Sequence, residues 1–257
     1  AAAISGLALT GCARASDVPA FDDIEATMWE SMAGSKAMAI TGTLPEEMAT
    51  DAAIIEDMLG GNLSDLEIYG ALDGSATAIR LGEDQDPIMS IFGDDVYISM
   101  DMMLETMGSM LPADQLDQMT AQFAGKYTDV SDGVDAETTG VNMADLLDQM
   151  RSAAESGETD PVTGFNFHEL QQEGSYMQLD METEDTGWFY HVDGEGEHAI
   201  MNGEATQTVG MTSDHDAPRL VRVTKDNTRM EFTWDDDVEI PQRPSHDQVV
   251  TEQDVMA

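Results

Sequence analysis

Apolar residues recur along this chain with two different periods, and each change of period marks a boundary between elements. Phe21, Ile24, Met28 and Met32 stand three and four positions apart with acids between them, the spacing of one face of an amphipathic helix that Gly34 ends. The period then drops to two. Met38, Ile40, Gly42 and Leu44 alternate with Ala39, Thr41 and Thr43, predicting a strand closed by Pro45. A helix over Glu46 to Leu59 stops at Gly60-Gly61, and hairpins follow. Leu66, Ile68, Gly70 and Leu72 share one side of a strand, Asp73-Gly74 supplies the turn, and Thr77, Ile79 and Leu81 form the return. Ile88 to Phe92 and Val96 to Met100 make the next pair, turning through Gly93-Asp94-Asp95.

Helical spacing returns in the methionine-rich patch Met102, Met103, Met107 and Met110, and again after Pro112 through Leu116, Met119 and Phe123. Lys126 to Val130 predicts a short strand and Asp132 to Thr139 a loop. Met143 to Ala154 predicts a helix burying Leu146, Leu147 and Met150, and Ser152 to Thr163 another loop. Strands are predicted at Phe165 to Leu170, Tyr176 to Thr183, Trp188 to Val192, His198 to Asn202, Leu220 to Lys225 and Arg229 to Trp234. In the second of these, Met177, Leu179 and Met181 alternate with Gln178, Asp180 and Glu182, giving one dry and one wet face. From Val238 the chain reads as an extended, proline-punctuated tail. The sum is an α+β protein of about ten strands in meander order with three or four helices. A sheet this wide twists and curls into an incomplete barrel, and the helices lie against its open face.

Composition changes this picture at the surface. The 257 residues carry 52 Asp and Glu against 10 Lys and Arg, a formal net charge of -42, which repels phosphate backbones and argues against nucleic-acid binding. With 41% hydrophobic residues in patterned segments, the chain is too apolar to be kept unfolded by charge alone. One cysteine makes no intramolecular disulfide, so the core must supply the stability.

That cysteine has a distinctive setting. Ile4 to Leu9 is a short apolar run, and Leu9-Thr10-Gly11-Cys12 resembles the bacterial lipobox, in which the signal peptide is cut before a cysteine that then receives a diacylglyceryl group. Residues 1–11 therefore read as the remainder of a signal peptide. Cys12 is the expected lipidation site, residues 12–20 are a tether, the domain occupies residues 21–240, and residues 241–257 form the tail. Two acyl chains at about 0.8 kcal/mol per buried methylene hold a protein to a bilayer where one chain does so only marginally. No other stretch has the ~20 apolar residues of a membrane-spanning helix, so attachment is expected by lipid alone, on the outer face of the cell membrane.

Catalytic constellations are missing from the sequence. There is no Gly-x-Ser-x-Gly elbow, His-Glu-x-x-His or phosphate loop, and the five histidines, His168, His191, His198, His215 and His246, are scattered, so the chain reads as no enzyme. Asp214-His215-Asp216 is the best local metal candidate, but such runs arise by chance in a chain this acidic. Asp129 to Glu137 departs from calcium-loop spacing and reads as a hydrated turn. No metal or cofactor is expected. The 20 methionines fit ordinary core filling, and their flexibility also suits a wall that accepts flexible apolar ligands.

The order of parts resembles a known family. The lipobox, tether and amphipathic helix are followed by the Ala39-Ile40-Thr41-Gly42-Thr43 strand and by Asp95-Val96-Tyr97-Ile98 leading into a helix. Then come Ala124-Gly125-Lys126-Tyr127-Thr128-Asp129-Val130, Val238-Glu239-Ile240-Pro241 and Gln248-Val249-Val250. Together they resemble the actinobacterial envelope lipoproteins of the LppX/LprG type, a family similar in fold to the periplasmic carrier LolA. The resemblance implies a carrier or presenter of lipids or acylated glycolipids, held in a half-barrel without catalytic residues; the chain is expected to be a monomer. The apolar strand positions Ile68, Ile79, Ile91, Ile98, Met100, Met177, Leu179 and Met181 are the candidate lining of such a cavity. The alternative is a cell-surface interaction or sensor domain whose core is filled by its own side chains.

Overall fold

The hairpin announced by Asp73-Gly74 forms as the alternation requires. β2 (Leu66–Ala71) and β3 (Thr77–Leu81) pair antiparallel with Ile68 opposite Ile79. The Asp73 carboxylate accepts the Ser75 amide at 2.9 Å, and Gly74 takes φ +75°, a conformation that side chains with a Cβ adopt at a cost. The computed structural model describes residues 18–42, 66–82, 85–108, 111–131, 142–167, 170, 187–191, 207–225 and 228–251. The lipobox, the helix expected over Glu46 to Leu59, the loop Asp132 to Thr139 and the strands expected at Tyr176 to Thr183 and His198 to Asn202 lie outside them. The chain divides into two compact units, residues 33–168 with 228–257 and residues 1–32 with 169–227.

In the larger unit, β1 (Ala37–Gly42) is followed by the β2–β3 hairpin, then β4 (Met89–Phe92) and β5 (Asp95–Ser99), a second hairpin turning at Gly93. Helices α2 (Met100–Met107) and α3 (Ala113–Phe123) pack on each other. β6 (Tyr127–Asp129), α4 (Met143–Ser156), β10 (Thr228–Trp234) and β11 (Val249–Val250) complete it. The eight strands run in the order β11-β6-β5-β4-β3-β2-β1-β10, antiparallel except where β11 joins β6. The order is not the simple meander expected. β1 sits between β2 and β10, with Met38 opposite both Gly70 and Trp234.

Local chemistry accounts for α4. The Asn142 side chain accepts the Ala144 amide at 2.9 Å at its start, and Gly157 ends it at φ +73°. The helix packs against β2 and buries Leu146, Leu147 and Met150, as its periodicity predicts. The expected strand at Phe165 to Leu170 does not form where it is described. Phe165 and Phe167 are fully buried in irregular chain, rings 5.3 Å apart, beside a turn organised by buried Asp160. That carboxylate accepts the amides of Val162 and Thr163 at 3.0 and 2.9 Å and the Thr163 hydroxyl, and burial holds its pKa above the usual carboxylate value. Side-chain hydrogen bonding there competes with ladder formation.

In the smaller unit, α1 (Phe21–Ala33) buries the predicted stripe of Phe21, Ile24, Met28 and Met32, together with Trp29. β7 (Gly187–His191), β8 (Gln207–Thr212) and β9 (Leu220–Lys225) form an antiparallel meander with a bulge at Gly210/Met211. β8 is absent from the expected elements, because glycine and threonine blur its alternation; Val209 and Met211 are nonetheless fully buried. The Tyr190 ring meets Phe21 edge-on at 5.4 Å and its hydroxyl donates to the Pro19 carbonyl at 3.0 Å.

Both units thus carry open sheet, antiparallel except for β11 against β6, and with the four described helices the architecture is α+β.

Candidate functional site

Strand pairing places side chains opposite one another on a common face, and here it assembles the apolar positions of six strands into continuous rows. One row runs Phe232, Ile40, Ile68, Ile79, Met89, Ile98. Its neighbour, two residues along each strand, runs Trp234, Met38, Gly70, Thr77, Ile91, Val96. All of these side chains are buried except Met89, which is half-buried. Gly70 is required in the second row: a Cβ there would lie 2.2 Å from the Ala76 carbonyl oxygen.

The pairing brings together Ile68, Ile79 and Ile98 in one row and places Ile91 in the next. Met100 is elsewhere. It opens α2 and packs with Leu104, Phe123 and Val250, flanked by Met103, Leu116 and Met119. Met177, Leu179, Met181 and Cys12 lie outside the described residues.

The opposite face of the same strands was not anticipated from the sequence as a place of interest. Glu67 and Arg80, directly paired across β2 and β3, form a bidentate ion pair with nitrogen–oxygen distances of 2.6 and 3.0 Å. The guanidinium lies over the Tyr69 ring, 4.4 Å from its centroid, and the Glu67 hydrogen bond raises the Arg80 pKa. Burial pushes the Tyr69 hydroxyl up to about 12. Residues 238–248, extended as the sequence suggests, cross this face as a strap before the chain enters β11. Val238 packs with Ala37, Ala39, Tyr69 and Ala78, and Arg243 bonds Asp95, the Tyr97 hydroxyl and the Phe92 carbonyl. The signal for this face was the complement of the isoleucine alternation: Glu67, Tyr69, Arg80 and Ser90 occupy the intervening positions.

The metal candidate Asp214-His215-Asp216 resolves into a turn. Asp214 accepts the amides of Asp216 and Ala217 at 2.9 and 3.3 Å, and the His215 ring lies against Trp188 at 4.5 Å. Among the described residues no three His, Cys, Asp or Glu side chains converge as metal ligands, and no helix is long and apolar enough to cross a membrane.

The fold defines an α+β protein of the open-sheet class, with one strand face apolar apart from Thr77. No family model matches the chain, and no curated protein matches it. Among solved structures it is similar to LprF from Mycobacterium bovis, with 13% identity over 89% of this chain and 100% of that one and a TM-score of 0.41.

Proposed function

We propose that this chain is a membrane-anchored envelope lipoprotein that binds and carries or presents an apolar ligand, a lipid or acylated glycolipid, against the apolar face of its open sheet. The observation that supports this reading is the pair of in-register apolar rows through Ile68, Ile79, Ile91 and Ile98. Such a surface binds acyl chains by area alone, at about 25 cal/mol per Å² removed from water, and needs no charge pairing. Anchoring rests on the lipobox at Leu9 to Cys12, and activity as a carrier needs no catalytic residue. Native mass spectrometry of detergent-free protein from its own host tests ligand binding: a lipid adduct is expected, and a protein that emerges bare and takes up no lipid refutes it. Replacing Cys12 by Ser should move the protein from the membrane to the soluble fraction, whereas retention removes the lipobox reading.

A second reading, an interaction or sensor domain with a self-filled core, is favoured by the near-complete burial of Met38 and Val96 within the same rows. The mass-spectrometric result separates the two.

A further inference from the structure

Between the strap and the outer sheet face of the larger unit lies a cavity of about 260 Å³, whose walls include Tyr69, Arg80, Ser90, Tyr127, Glu239 and Gln242. It exists because of a cross-strand row. Ala39, Tyr69, Ala78, Ser90 and Tyr97 stand opposite one another on successive strands, and the small side chains of Ala78 and Ser90 leave a depression between two tyrosines. Val238 and Arg243 fasten the strap on this face, the one to Tyr69 and Ala78 and the other to Asp95 and Tyr97.

The polar groups of the walls are incompletely used. Ser90 and Tyr69 are both 3% exposed, no hydrogen bond among the described residues uses either hydroxyl, and neither is a sealed polar atom, so both open onto the cavity. Arg80 spends Nε and Nη2 on Glu67, which leaves Nη1. Hydroxyls that face a cavity with no protein partner are open to hydrogen bonds from a ligand or water there.

The charges select the ligand class. Arg80 and Arg243 are already compensated by Glu67 and Asp95, while the exposed carboxylates of Asp86 and Glu239 line the cavity, so an anion is repelled. A quaternary ammonium ion finds the Tyr69 ring covered by the Arg80 guanidinium. An apolar ligand would bury the two hydroxyls unpaired. A neutral polyhydroxylated ligand satisfies every group: its hydroxyls donate to Asp86, Glu239 and the glutamine oxygens and accept from Tyr69, Ser90 and Arg80. The volume lies below the ~300–1,000 Å³ of drug-sized sites, which limits the occupant to a small molecule or one ring of a larger one.

From these contacts we infer that the strap-covered cavity is a second binding site, for a neutral sugar ring, either free or at the end of a glycan. The site is on the face opposite the apolar rows and is independent of the lipid-carrier reading. The test is saturation-transfer NMR on the full chain with methyl α-D-glucopyranoside, methyl α-D-mannopyranoside and methyl β-D-galactopyranoside, with choline and acetate as charged comparators. Saturation of at least one sugar and of neither ion is expected. Tyr69→Phe and Ser90→Ala should each weaken binding about three- to tenfold, the worth of one hydrogen bond, with the melting temperature held or raised because each removes an unpartnered hydroxyl. Gln242→Ala, an exposed strap position, gives a third variant that leaves the sheet untouched. A trisaccharide ending in the bound sugar distinguishes the sources: tighter binding than the monosaccharide indicates a glycan end, and equal or weaker binding a free sugar. Absence of transfer to all three sugars, equal transfer to choline, or binding unchanged in the three variants would leave the cavity as a water pocket and overturn the inference.

Discussion

The Glu67–Arg80 pair allows the burial of the outer sheet face to be measured. The two side chains retain only 8% and 12% exposure, and two short hydrogen bonds hold them in fork geometry. Removing one partner leaves the other, largely buried charge uncompensated. Glu67→Gln should therefore destabilise the larger unit by about 3–5 kcal/mol, against ~0–1 kcal/mol for an exposed pair. At roughly 2–4 °C per kcal/mol for a protein of this size, the melting temperature should fall by about 6–20 °C. Arg80→Met loses the same pair and also the guanidinium stacked on Tyr69, so it should cost at least as much. The double replacement Glu67→Leu with Arg80→Met removes both charges together and should recover most of the loss, landing near the parent or above it. Urea unfolding followed by tryptophan fluorescence supplies all four corners of the double-mutant cycle. A cost below about 1 kcal/mol for Glu67→Gln would mean that solvent in the neighbouring cavity screens the pair as it does a surface one, and would refute the burial assigned to it.

Two further outcomes follow from single side chains. Asn142→Ala removes the cap at the start of α4 and should cost about 1 kcal/mol, read from the same unfolding curves, with Asn142→Asp retaining most of the stability. Tyr69, its pKa lifted by burial to about 12 in the folded state from an ordinary value of 10.0, binds its proton more tightly when folded. The stability this contributes is complete below pH 10 and declines as pH rises from there through 12, because the unfolded chain gains tyrosinate first. Tyr69→Phe should flatten that part of the stability profile, and an unaltered slope between pH 10 and 12 would contradict the burial assigned to this hydroxyl.

Much of the fold was legible locally. The methionine and isoleucine spacing of α1, the Asp73-Gly74 turn and the leucines of α4 act over a few residues, so their periodicity reports element type directly. Phe165 and Phe167 misled because their alternation reflects burial in an irregular segment, and period-two spacing alone does not distinguish that from a ladder. The isoleucine rows were half visible: alternation along a strand shows which residues share a face, but only register shows that Ile68, Ile79 and Ile98 stand in line while Met100 turns away into a helical cluster.

By itself, then, the sequence determined the class of the protein: helix and strand identities, an acidic surface, and a lipobox expected to carry an anchor, all of which depend on neighbours within a turn or a hairpin. The tertiary structure alone decided which strands distant in sequence meet. Met38 pairs with Trp234 and β11 with β6, contacts between residues more than a hundred positions apart, whose closing entropy is offset only by the burial achieved once the whole sheet is assembled. The same long-range placement laid the strap over Tyr69, Arg80 and Ser90, and so made a cavity from residues that have no common motif.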